Sequence, residues 1–259
     1  MFCWRRESSP WACNQPPSSL RLTELSVPHN GEKNAACGVD ATSGDAVCWS
    51  ADGVTSVEPG PFRTVSGYCG IRADGSLDCW EPFDMCPRSP PTTGSYIALD
   101  AREYGTAVRD DGAIVAWSGP CAEWEGVYDK QHCVRCPDRL EVAGPFAAVS
   151  NVQLGGVCGA YADGGVYCDS EFASLVTEAP SSGAFVDIDS YTLWEDNACV
   201  LGADGITTCW GADVAPSTAF VDIESSGKDA VYGLTPEGLI EEFGTEYPDD
   251  WIPCDPAVE

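Results

Sequence analysis

The sequence predicts an all-β fold, a β-propeller of short antiparallel blades, and three observations predict it. A segment framed by paired cysteines recurs along the chain, a short F-x-x-V-type segment stands ahead of every copy, and no copy has helical periodicity. In chain order the copies read "CGVDATSGDAVCW" (37–49), "CGIRADGSLDCW" (69–80), "TAVRDDGAIVAW" (106–117), "CGAYADGGVYCD" (158–169), "CVLGADGITTCW" (199–210) and "YGLTPEGLIEEF" (232–243). The tail "FCW" at 2–4 reads as the end of one more. Their terminal positions, 4, 49, 80, 117, 169, 210 and 243, recur at intervals averaging about 40 residues, a spacing typical of propeller blades.

Each copy is a β-hairpin by its own spacing. Cysteines ten apart leave four residues on each side of a three-residue loop such as Ala73-Asp74-Gly75, and glycine fills the left-handed position that loop needs. The first copy has a spacing of eleven and takes a four-residue loop, Ala41 to Gly44. Two positions inward from the first anchor stand Val39, Ile71, Val108, Ala160, Leu201 and Leu234; two inward from the second stand Ala46, Leu77, Ile114, Val166, Thr207 and Ile240. Eleven of these twelve are apolar, so one face of every hairpin is buried; Thr207 is the exception. The preceding strands are "LTEL" (22–25), "FRTV" (62–65), "YIAL" (96–99), "FAAV" (146–149), "FVDI" (185–188) and "FVDI" (220–223).

Complete repeats therefore span about 20–49, 61–80, 95–117, 145–169, 184–210 and 219–243, within one domain, with a Cys-rich insertion at 118–144. Seven blades of three to four strands are expected, the seventh a composite of residues 1–4 and 247–259; six closed blades with a dangling N-terminus is the other count.

Cysteines opposite one another across an antiparallel pair can meet the separation a disulfide needs. Repeats three and six have lost both members together, Thr106 with Ala116 and Tyr232 with Glu242, which suits paired bonding. The expected bridges are Cys37–Cys48, Cys69–Cys79, Cys158–Cys168 and Cys199–Cys209, and they imply an oxidising compartment. A Cys3–Cys254 bridge is expected to lock the composite blade, with Cys3–Cys13 as the competing pairing. The partners of Cys86, Cys121, Cys133 and Cys136 stay open; Cys121, His132, Cys133 and Cys136 have the ligand types of a zinc site, but a disulfide plus a spare cysteine explains them equally.

The pattern F-x-x-V/I, a variable loop, then C-x-x-x-x-D-G-x-x-x-C-W-G resembles the repeat of the regulator of chromosome condensation family, above all its cysteine-bearing bacterial form. The short blades are similar to those of propeller-type β-lactamase inhibitor proteins. The resemblance spans residues 20–244 and implies a propeller; inhibition of a secreted enzyme is one function it suggests. The histidine that the family often carries just before the first anchor is missing here. The founder's nucleotide exchange and chromatin binding are not expected to carry over, because loops rather than the shared fold specify such activities.

Charge and motifs narrow the function. With 41 acidic residues against 13 basic ones, a net charge of −28, the surface repels nucleic acid and anionic membrane. A basic protein is the partner such a field attracts. No run matches a calcium loop, and no apolar stretch approaches a membrane span. "MFCWRRESSP" has no apolar run after its charges, so it does not read as a secretion signal. The only histidines are His29 and His132, and no G-x-S-x-G, H-E-x-x-H or phosphate loop occurs. The expectation is an extracellular, periplasmic or cell-surface binding module, monomeric, without catalysis, metal or cofactor; a hydrolase or lyase using the axial cleft is the alternative. Binding is expected on the loops between the F-x-x-V strand and the first anchor. These loops hold Tyr68, Arg102, Tyr104, Tyr191, Trp194, Glu195 and Lys228, and aromatic and arginine side chains are the usual interface anchors.

Overall fold

A computed structural model describes residues 4–6, 20–26, 36–50, 53–80, 90–101, 105–117, 123–125, 132–135, 140–152, 156–169, 176–192, 196–210, 216, 218–225, 231–236, 240–243 and 251–253. Twenty-four strands occupy these segments. In chain order they are β1 (Trp4–Arg6); blade one, β2 (Leu22–Ser26), β3 (Ala36–Asp40), β4 (Ala46–Ser50) and β5 (Gly53–Glu58); and blade two, β6 (Phe62–Ser66), β7 (Cys69–Arg72) and β8 (Leu77–Cys79). Blade three takes β9 (Tyr96–Asp100), β10 (Thr106–Arg109) and β11 (Ile114–Ala116); a hairpin of β12 (Glu123–Glu125) and β13 (His132–Arg135) follows, and β14 (Leu140–Val142) returns as the fourth strand of that blade. Blade four is β15 (Phe146–Val152), β16 (Gly156–Tyr161) and β17 (Val166–Asp169), and blade five β18 (Phe185–Thr192), β19 (Asp196–Gly202) and β20 (Thr207–Trp210). Blade six is β21 (Asp222–Ser225), β22 (Val231–Leu234) and β23 (Ile240–Phe243), and β24 (Trp251–Pro253) pairs with β1. No helix among the described residues is long and apolar enough to cross a membrane.

The hairpin register is the one the spacing requires. Cys69 faces Cys79, Cys158 faces Cys168, Cys199 faces Cys209, and Cys37 faces Cys48 across the wider loop. All four pairs are bridged. Thr106 and Ala116, and Tyr232 and Glu242, stand opposite in the same way without cysteine. In the turns, Asp74, Asp111 and Asp204 each accept the N–H two residues on, at 2.9, 3.1 and 3.1 Å. Gly75, Gly112 and Gly205 follow them at φ of 86°, 85° and 82°. The Asp-Gly pairs are turn chemistry.

The core lies between blades, because each sheet is too thin to enclose one. The bridge Cys37–Cys48, with Val39 and Ala46, packs on Phe62 and Val65 of the next blade. Cys69 and Ile71 meet Tyr96, Ala107 and Trp117; Val108 and Ile114 meet Phe146 and Val149. Cys158, Ala160 and Cys168 meet Ile188 and Val200, and Cys199 and Leu201 meet Phe220 and Ile223. The disulfides are thus buried inter-blade surface.

Contacts between first strands run from β2 to β6, β9, β15, β18, β21 and back to β2. That cycle counts six blades, where the sequence expectation leaned to seven. The termini do pair, Trp4 with Pro253 and Arg6 with Trp251, but as a two-stranded sheet outside the inner cycle. The repeat count could not distinguish these arrangements, because a terminal anchor shows that a strand exists and not where it sits. The last inner strand also starts later than its pattern, at Asp222 rather than Phe220.

Candidate functional site

The inner strands share a device that their sequences carry in plain view. The residue after F-x-x-V/I/L is Ser26, Ser66, Asp100, Ser150, Asp189 and Glu224 in blades one to six. In five of them its side chain accepts an N–H from the next blade. Gly67 N–H donates to Ser26 Oγ at 2.9 Å, Ala101 to Ser66 Oγ at 2.9 Å, Asn151 to Asp100 Oδ2 at 2.7 Å, and Ser190 to Ser150 Oγ at 2.9 Å. Ser225 N–H donates to Asp189 Oδ2. Ser26 Oγ donates to Glu224 Oε1 at 3.2 Å, joining blade one to blade six. Each such bond contributes about 1 kcal/mol net. Sequence reading missed this belt because a column of Ser, Asp and Glu reads as ordinary strand-end polarity.

Two positions earlier a second tier forms. Val65 N–H donates to Glu24 Oε2 at 3.3 Å, and Ile223 N–H to Asp187 Oδ2 at 3.2 Å. These carboxylates line an axial cavity of about 260 Å³ to which all six inner strands contribute, with Asp222 and Glu224 also in its wall. Burial pushes the Glu24 carboxyl up to about 7, although the Thr64 and Val65 hydrogen bonds oppose the shift. Asp187 is raised well above the ordinary carboxylate range by burial first, then by the Asp222 and Asp189 carboxylates.

The mouth of the cavity differs from its wall. Register shifts in blades one, two, four and five bulge out the residue between the aromatic or leucine and the second-tier position, and blade three skips Ile97 likewise. Ile97, Val186 and Val221 hold this position in blades three, five and six, line the cavity and are 47 %, 53 % and 55 % exposed. The collar outside the carboxylate wall is thus aliphatic in blades three, five and six, while Thr23, Arg63 and Ala147 hold the same position in blades one, two and four, the Arg63 guanidinium donating to the Ala73 carbonyl at 2.5 Å. Nothing in the sequence singled out these four acids among 41.

Of the residues expected on the loop rim, Tyr68 lies half-buried in the turn between β6 and β7, its carbonyl accepting Trp80 N–H at 3.0 Å. Tyr191 lies on β18 opposite Asn197. Arg102, Tyr104, Trp194, Glu195 and Lys228 lie outside the described residues, as do Cys3, Cys13, Cys86, Cys121, Cys136 and Cys254. The strand ends flanking the expected loops are all first-to-second-strand connections, so they share one end of the inner strands, opposite the aliphatic collar. Among the described residues no group of three or more Cys, His, Asp or Glu is disposed to hold a metal ion.

No family profile matches the chain, and no curated protein matches it. Solved structures do. The CRINKLY WD40 ectodomain of the Arabidopsis thaliana receptor kinase ACR4 is similar at 19 % identity and a TM-score of 0.53, over 89 % of this chain and 84 % of that one. The entire ectodomain of the Physcomitrella patens receptor kinase CR4 gives 17 % identity and 0.55, over 94 % of this chain and 64 % of that one. The β-propeller domain of Myceliophteria thermophila Cps50 (Swd1) gives 11 % and 0.54, over 92 % and 90 %. At these identities the likeness is one of fold, and together with the six sheets arranged around one cavity it makes the chain a β-propeller.

Proposed function

We propose that this chain is a protein-binding propeller of an oxidising compartment outside the cytoplasm, monomeric and without catalytic activity, whose partner is basic. One contrast carries the reading: the hairpin register is constant while the connections between first and second strands vary, from residues 67–68 in blade two to residues 27–35 in blade one. A fixed scaffold with unequal loops is how a variable recognition surface is presented. The four bridges support the oxidising compartment. The net charge of −28 supports a basic partner, steered over distance before contact. Kinship with the regulator of chromosome condensation repeats rests on the repeat pattern and stays part of the proposal, as does inhibition of a secreted enzyme as the use of the binding face.

The test is capture from a secreted-protein mixture by wild type and by a triple variant, Tyr68→Ala, Tyr191→Ala and Trp194→Ala. Loss of the captured species at unchanged melting temperature is expected, worth about 2 kcal/mol or more per true anchor. Full retention places the binding face elsewhere. One observation favours a second reading: Glu24, with its acidity pushed near neutrality inside a cavity, has the character of a general acid or base. A hydrolase or lyase activity abolished by Glu24→Gln would replace the binding reading.

A further inference from the structure

We propose that the axial cavity receives one lysine or arginine side chain from the protein partner, stem against the aliphatic collar and cation against the carboxylate wall. The inference deepens the binding reading above by naming a second contact on the face opposite the loop rim. Three features converge on it. First, the chemistry changes along the entry path in the order that such a side chain presents. Ile97, Val186 and Val221 stand half-exposed at the mouth, and the next residue on β18 and β21 is an aspartate, Asp187 or Asp222; Glu24 holds the equivalent place on β2. A lysine or arginine carries three or four methylenes before its charge, and favours an apolar wall for the stem with an acceptor at the tip.

Second, the charges are complementary. The lining contains Glu24, Asp187, Asp222 and Glu224 and no lysine, arginine or histidine. What acts on Glu24 and Asp187 is burial, backbone and hydroxyl donors, and other carboxylates; no cation enters the balance of either. An entering ammonium or guanidinium supplies it in a desolvated setting, where a charge-assisted hydrogen bond is strongest. Third, the size suits a side chain. A volume of about 260 Å³ falls below the roughly 300–1,000 Å³ of pockets that hold a drug-sized molecule. The net charge of −28 brings cationic partners to the surface first.

The probe is the tripeptide acetyl-Gly-Lys-Gly-amide, titrated into methyl-labelled protein, with its norleucine counterpart as control. Saturable shifts at the Ile97, Val186 and Val221 methyls are expected with lysine and absent with norleucine. Val186→Lys, a change at an exposed position, sets the protein's own ammonium at the mouth and should weaken the lysine peptide at least tenfold. Glu24→Gln should weaken it as well, at unchanged fold. Equal shifts with norleucine overturn the proposal, because the cavity would then read only apolar surface. Silence with both peptides at millimolar concentration overturns it too, as does calcium producing the shifts while the lysine peptide does not. The binding reading is tested apart from this: a partner lost by the loop-rim variant and kept by Val186→Lys removes the axial contact and leaves the protein-binding function standing.

Discussion

Thr207 shows what a single departure from a repeat does. Eleven of the twelve inward positions are apolar, and the structure buries most of them, Ile71, Val108, Ile114 and Ala160 completely. Thr207 sits in the same place, 3 % exposed, and its Oγ1 meets no hydrogen-bond partner among the described residues. A buried hydroxyl left unpaired costs about 1–3 kcal/mol. Thr207→Val keeps the shape and removes the polar atom, so it should raise the melting temperature by about 2–4 °C for each kcal/mol recovered. Thr208→Val, on the exposed side of the same strand, is the control and should leave it unchanged. An equal rise in both variants would point to strand propensity rather than to the buried hydroxyl. The alternation rule made this residue visible from the sequence. The belt acids and serines were not, since their role depends on a neighbouring blade that no local pattern reveals.

At the scale of the element, the hairpins were legible because cysteine spacing, turn glycine and alternation all fix one register, and a slip of one residue would turn every apolar side chain outward. The pairing of glycine with the inner-strand aromatic went unread. Gly70 follows Cys69, and a Cβ there would lie 2.6 Å from Cδ1 of Phe62. Phe62 has no room to withdraw, being buried with Trp80 edge-on at 5.7 Å and the Arg72 guanidinium over its ring at 4.6 Å. Gly159 and Gly233 make the same approach to Phe146 and Phe220. Two blades lack the glycine: in blade three Ala107 takes its place beside a buried Tyr96, and in blade five Val200 takes it and the aromatic, Phe185, is only partly buried while Phe62, Phe146 and Phe220 are buried. Gly70→Ala should therefore destabilise by about 1–3 kcal/mol through overpacking, read as a lower urea midpoint at unchanged slope. No change in midpoint would mean that the Phe62 ring moves freely, and the glycine would then need another explanation.

At the scale of the whole molecule, the inner cycle closes between β2 and β21, so the pairing of the chain ends is a latch and not the last stave of the ring. The β1–β24 ladder sets Trp4 opposite Pro253, Arg5 opposite Ile252 and Arg6 opposite Trp251. Cys3 and Cys254 lie outside the described residues, next in sequence to Trp4 and Pro253. The sequence leaves two pairings for Cys3, the expected bridge to Cys254 and the competing one to Cys13. In the chain-entropy model a bridge between the two ends closes a loop of well over 100 residues, with a ceiling near 5 kcal/mol. A latch outside a ring that is already closed should deliver less than that ceiling, because the inner strands meet from β2 to β21 without it. Cys254→Ser is accordingly expected to lower the melting temperature by several degrees while leaving the inner blades folded, with the Val65 and Ser225 amides still protected from exchange. Peptide mapping without reduction should yield a fragment joining Cys3 to Cys254; a Cys3–Cys13 fragment in its place would sink the latch and leave the terminal ladder held by backbone hydrogen bonds alone.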